Sequence, residues 1–117
     1  MPEKKTIRPF HLTSAEEIIM TILWSNKEPM SQLQIIEAAA EKGELTWKER
    51  SIFSMLNSLM EKGAIVADGF VRSGKTYART FKATVSHAEF CANYVLSSLS
   101  DEELLEFEQI MREKRKV

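Results

Sequence analysis

The sequence is poor in the residues that covalent cross-linking and metal chemistry require. It holds one cysteine, Cys91, and two histidines, His11 and His87. No disulfide can close within the chain, and cysteine and histidine alone are too few for a four-ligand zinc site. There is no glycine-rich phosphate loop and no nucleophile–base pair at a usable spacing. An enzyme is not expected, and neither is a metal or cofactor. No apolar run reaches the roughly 18 residues of a membrane helix, and the N-terminus has no signal-peptide core. A cytoplasmic chain without membrane insertion is the expectation. At 117 residues, 44% hydrophobic and 28% charged, it suits one globular core and is short for two ordinary domains.

Two further shortages concern charge. Residues 83 to 111 contain no base, yet hold six acids, Glu89, Asp101, Glu102, Glu103, Glu106 and Glu108. Residues 46 to 82 are the opposite, with seven bases against three acids, a local excess of +4 in a chain of net charge −1. Such segregation lets the middle face a polyanion and turns the C-terminal part away from it.

What the chain does have is a repeated device for starting helices. A Ser or Thr followed three residues later by Glu or Gln satisfies two unpaired backbone donors reciprocally. It occurs at Thr13/Glu16, Ser31/Gln34, Thr46/Glu49, Ser86/Glu89 and Ser100/Glu103, each opening an apolar periodic run, so five helices are expected. The first, about 14–25, buries Ala15, Ile18, Ile19, Ile22 and Leu23, with Trp24 closing the core. The second, about 32–42, buries Leu33, Ile35, Ile36, Ala39 and Ala40 and ends at Gly43.

The third, 46–62, organises the rest. Ile52, Met55, Leu56, Leu59 and Met60 form its apolar stripe. Its other face carries Lys48, Arg50, Ser51, Ser54, Asn57 and Ser58, with no acid between Arg50 and Glu61. A solvated face usually alternates Glu with Lys; this one has nothing to repel a phosphate. Phe53 has two possible places, the core or a thymine methyl, and the core is expected. With the preceding helix the stretch makes a helix-turn-helix pattern.

After Gly63 the period changes to that of strands. Residues 64–83 read as a hairpin with Arg72-Ser73-Gly74-Lys75 at its tip, and Tyr77, Arg79 and Phe81 on one face of the return strand. A basic-tipped hairpin beside such a helix is a wing. The tail is helical: Phe90, Tyr94, Val95, Leu99, Leu104, Phe107 and Met111 line apolar faces too extensive for so small a core, which calls for a second copy of the chain. Cys91 is expected within that apolar face, and Arg112 to Lys116 as a frayed end. The fold class is therefore mainly α with a small β-hairpin. A winged helix-turn-helix DNA-binding domain spans 1–84, and a helical dimerisation region spans 85–117.

Leu12-Thr13-Ser14-Ala15-Glu16 with Ile19-Met20 and Leu23-Trp24, then Trp47, Arg50-Ser51-Ile52, Leu59 and Lys62-Gly63, resemble motifs of the penicillinase-repressor (BlaI/MecI/CopY) family. Tyr77, Phe81 and the helix opened by Ser86 are similar to its second wing strand and the start of its dimerisation region. The segment from Ser100 through Phe107 is similar to its last helix. The resemblance runs over most of residues 12 to 111. It implies a homodimeric winged-helix repressor, with Arg50, Ser51 and Ser54 where the family contacts DNA. Phe53 and Ser58 stand where the β-lactam-responsive members usually carry arginine, so their operator is not expected to be shared. The Asn-Phe cleavage stretch of those members has only a faint echo in Asn93-Tyr94, which argues against a membrane sensor protease as partner. The C-terminal cysteine cluster of the copper-responsive branch is absent.

The expected mechanism uses Lys48, Lys62, Arg72 and Lys75 on phosphates of double-stranded DNA. Arg50, Ser51, Ser54 and Asn57 would reach base edges, arginine suiting guanine and asparagine adenine. A homodimer would read a near-palindrome. The alternative is a winged-helix protein-interaction module with little or no DNA binding, motivated by the missing arginines and near-neutral net charge.

Overall fold

The computed structural model describes residues 11–45 and 47–116. In chain order they form α1 (Ser14–Ser25), β1 (Met30–Ser31), α2 (Gln32–Glu41), a 3-10 turn (Glu49–Ser51), α3 (Ile52–Glu61), β2 (Ile65–Ser73), β3 (Thr76–Ala83), α4 (His87–Ser98) and α5 (Asp101–Arg115). The strands make one antiparallel sheet in the order β1-β3-β2. The described residues divide into two compact units, 11–87 and 88–116.

Helix starts follow the local chemistry. At α1, Thr13 Oγ1 accepts from the Glu16 N–H at 3.2 Å while Glu16 Oε1 accepts from the Thr13 N–H at 2.9 Å. Ser31 with Gln34 and Ser100 with Glu103 close the same reciprocal pair at α2 and α5. Thr46 lies outside the described residues. The helix expected from 46 instead opens as a 3-10 turn behind an extended Lys48, which supplies no side-chain cap. The Ser51 N–H donates to the Lys48 carbonyl at 2.8 Å, a tighter turn than an α-helix makes. Helix ends are equally local. Gly63, at φ +79°, turns the chain left-handed after α3. The Ala64 N–H then reaches back to the Leu59 carbonyl at 2.9 Å and the Gly63 N–H to that of Met60 at 3.0 Å, capping the orphaned carbonyls.

In the first unit, Ile19, Met20, Ile22 and Leu23 of α1 meet Ile35, Ile36 and Ala39 of α2 and Ile52, Leu56 and Leu59 of α3, all buried. Phe81, Ile65 and Val85 close this core from the sheet side. Trp24, expected fully inside, is half-buried because its indole is used at the edge. Its Nε1 donates to the Val85 carbonyl at 2.9 Å, and its ring stacks on His87 with centroids 4.3 Å apart. Val85 to His87 thus belong with the first unit. Leu33, expected inside, is 54% exposed.

β1 has no counterpart in the sequence reading. It is two residues long, with Met30 paired to Phe81 and Ser31 to Thr80, and Ser31 serves both as strand end and as helix cap. In β2 one extra residue intervenes, since Ala67 pairs with Phe81 but Phe70 with Arg79. Gly69 at φ +84° supplies the turn this needs, and the Thr80 hydroxyl donates to the Asp68 carbonyl across the gap. The hairpin beyond closes on Gly74-Lys75, between the paired Ser73 and Thr76.

The second unit contains the greater part of α4 and all of α5. Neither helix has a fully buried residue, and Cys91, expected within an apolar face, is exposed. Arg112 to Arg115, expected to fray, remain helical. Three acids in the first turn of α5 and Arg112, Lys114 and Arg115 in its last turn complement the helix dipole at both ends.

Glu16 is the only buried charged residue among those described. Besides the Thr13 N–H, its carboxylate accepts from Lys62 Nζ at 2.5 Å and from the Ser58 hydroxyl at 2.9 Å. The same ammonium donates to the His11 carbonyl at 2.7 Å. The start of α1 is thereby fastened to the end of α3. Burial by itself pushes this carboxyl upward, but the lysine, the Thr13 N–H, the Ser58 hydroxyl and the lysine's charge together hold it below the ordinary range. The folded-state pKa is the lower one. The stabilisation is therefore complete above the unfolded carboxyl's pKa and is lost as pH falls through the folded one. Chemical unfolding measured from about pH 3 to 7 should show a flatter acid limb in Glu16→Gln than in the wild type; parallel limbs would contradict this. Lys62→Met should cost about 1–3 kcal/mol at neutral pH, the cost of a buried acceptor losing its donor.

Candidate nucleic-acid interface

The inner residues of α3 recur at steps of four and three, so Ile52, Leu56 and Leu59 are buried on one side, with Met55 and Met60 half-buried at its margins. At 100° per residue this leaves Phe53, Ser54 and Asn57 pointing outward, all exposed. Arg50, in the 3-10 turn that leads in, and Lys48 before it are exposed too, while Ser51 is half-buried. The nearest acids, Glu49 and Glu61, bound this surface without interrupting it. The Ser54 hydroxyl donates to the Ser51 carbonyl at 3.1 Å, so its lone pairs are what it offers outward, suited to a base amino group. Ahead of the helix, the Trp47 Nε1 is buried and meets no acceptor among the described residues.

The hairpin adds charge. Arg72 and Lys75 are exposed at its tip, with Arg72 Nε donating to the Gly74 carbonyl at 3.3 Å. Directly opposed residues share a face. The pairs Phe70–Arg79 and Arg72–Tyr77 therefore put two guanidiniums and two exposed aromatic rings on one side of the wing. Arg79 is a candidate that sequence reasoning left out, although the shared face with Tyr77 and Phe81 was legible there. Between α2, α3 and β3 the surface dips into an open groove of about 520 Å³, with Leu33, Phe53, Asn57 and Arg79 among its lining residues.

Two expectations about the helix need correction. Phe53 is not in the core: it is 63% exposed, because Ile52, Leu56 and Leu59 already complete the inner stripe and the groove leaves the ring at its rim. Ser58 is not on the outward face but turned to Glu16. Lys62 is held by the same carboxylate and the His11 carbonyl, so it stands apart from Lys48, Arg50, Ser51, Ser54 and Asn57. In the second unit Phe90, Val95, Leu99, Leu104 and Phe107 are half-buried, while Tyr94 and Met111 are exposed. Leu96, Leu105 and Ile110 are exposed as well. Among the described residues no group of histidine, cysteine, aspartate and glutamate could hold a metal ion, and no helix is long and apolar enough to cross a membrane.

Comparison with known proteins gives the arrangement a family. No curated protein sequence matches the chain. Among solved structures, PadR of Bacillus subtilis in complex with operator DNA is similar at 18% identity and a TM-score of 0.55, covering 86% of this chain and 61% of that one. The zinc-responsive MarR family member ZitR of Lactococcus lactis shares 17% identity over 97% of this chain and 81% of its own, at a TM-score of 0.49. PerR of Streptococcus pyogenes, a peroxide sensor, shares 11% over 63% and 48%, at 0.48. The chain thus spans about half the length of that last regulator and 61% of PadR. The likeness to PadR supports the winged-helix fold. A family model, the penicillinase repressor, matches residues 12–111. The chain belongs to the penicillinase repressor family, whose members are DNA-binding transcriptional regulators and not enzymes.

Proposed function

We propose that the chain represses transcription as a homodimer on a near-palindromic operator, with α3 in the major groove and the hairpin as wing. The observation that carries this reading is an outward surface free of acids between Glu49 and Glu61, beside a hairpin that bears two arginines in the same compact unit. Residues 1–84 are assigned to DNA binding and 85–117 to dimerisation, and the protein would act in the cytoplasm. Lys48, Arg72, Lys75 and Arg79 neutralise phosphates and set register. Arg50, Ser51, Ser54 and Asn57 read base edges, and Lys62 is reassigned to holding the fold. Two-fold symmetry would set the reading helices roughly 34 Å apart, one turn of DNA.

The apolar side chains of α4 and α5 support the dimer, since both helices lack buried residues and expose Tyr94, Leu96, Leu105, Ile110 and Met111. Release by a sensor protease is disfavoured. Asn93-Tyr94 lies midway along α4, and a protease that takes its substrate extended would have to unwind that helix first.

Mobility shifts on the upstream region of the chain's own gene test the reading. Arg50→Ala should lose discrimination between operator and unrelated duplex by about 1–3 kcal/mol, and Lys75→Ala should weaken both alike while lowering the salt slope by about one. Absence of any sequence-specific shift, with capture of a protein partner instead, would favour the interaction-module alternative. In sedimentation, Leu105→Glu should convert dimer to monomer and cost operator affinity with it; an unaltered dimer would contradict the assignment of the tail.

A further inference from the structure

Phe53 is the one outward residue of α3 with no polar atom to offer. It stands three residues after Arg50 and four before Asn57 on the exposed surface, and its ring is 63% exposed. A lone exposed apolar side chain is ordinary on a protein surface. Phe53 is not alone: Leu33, 54% exposed, lines the same groove, whose polar lining is Gln32, Asn57 and Arg79 and whose other lining is apolar. The two apolar side chains at its rim have little use against phosphates or base amino groups. The major groove, however, presents one apolar feature, the C5-methyl of thymine.

We infer that Phe53, backed by Leu33 at the rim of the α2–α3–β3 groove, reads a thymine methyl and so helps set the operator sequence. Phe53 and Asn57 are neighbours on the helix surface, with Cβ atoms roughly 6 Å apart. Successive base pairs rise by about 3.4 Å, so the thymine lies within about two steps of the base that Asn57 contacts. Asparagine suits adenine, and the two side chains together favour an A·T-containing core in each half-site. The methyl meets these two apolar side chains as the helix docks and is withdrawn from water there. The inference rests on the DNA-reading role of α3 and specifies one of its targets.

The test begins with duplexes selected from a random pool by the purified full chain, then replaces each thymine in turn by deoxyuridine, which removes only the methyl. For the wild type, one symmetric position should weaken binding about fourfold per half-site, the worth of one buried methyl. Phe53→Ala should bind the thymine operator more weakly and lose sensitivity to the replacement at that position alone. Phe53→Leu should keep part of it. Wild-type binding indifferent to deoxyuridine at every position would overturn the inference while leaving DNA reading intact, and that result needs no variant to fold. A Phe53→Ala chain as sensitive as the wild type would overturn it too. Failure to enrich any duplex would overturn the DNA-reading role itself and this inference with it.

Discussion

The outward surface of α3 is dictated by what the helix buries. Ile52, Leu56 and Leu59 leave water together against α1 and α2, and each fully buried aliphatic side chain stabilises the fold by about 1.5–3 kcal/mol. Rotating the helix by even one residue would pull this stripe out of the core and bring Phe53 or Asn57 toward it. Packing therefore fixes which side chains face outward. Arg50, Ser54 and Asn57 are outward because the inner positions are already filled.

Burial sets the rotation of the helix, and the polar contacts of Glu16 hold its far end. The carboxylate ties the first turn of α1 to Ser58 and Lys62, so the C-terminal turn of α3 is fastened while its 3-10 entry stays accessible. The wing is placed by a separate device. The extra residue at Asp68-Gly69 and the short pairing of β1 with β3 bend and anchor the hairpin. Phe81 at the base of β3 is buried in the core while Tyr77 and Arg79, on the same face, extend past it. α3 and the hairpin thus belong to one compact unit, as the proposed interface to a stiff duplex requires.

Much of this was legible locally. Thr13/Glu16, Ser31/Gln34 and Ser100/Glu103 announced their helices because a capping box is complete within four residues. The hairpin and its basic tip were legible from strand periodicity and Gly74. What escaped depended on partners distant in sequence. Ser58 and Lys62 look solvent-facing until Glu16, 42 and 46 residues away, is set beside them. β1 is too short to show a period and exists only because Phe81 and Thr80 arrive next to it. The core placement of Phe53 failed for a related reason: a phenylalanine's size argues for burial, but the room for it depends on how α2 and β3 approach α3.

In the proposed complex, one face of one helix and the adjoining wing meet DNA. Titrating isotope-labelled protein with a selected operator duplex, and following backbone amide chemical shifts, maps that face directly. The largest perturbations should fall on residues 48–57 and 72–79, with α1 and the middle of α5 little changed. Perturbations centred on α4 and α5, with α3 silent, would contradict it.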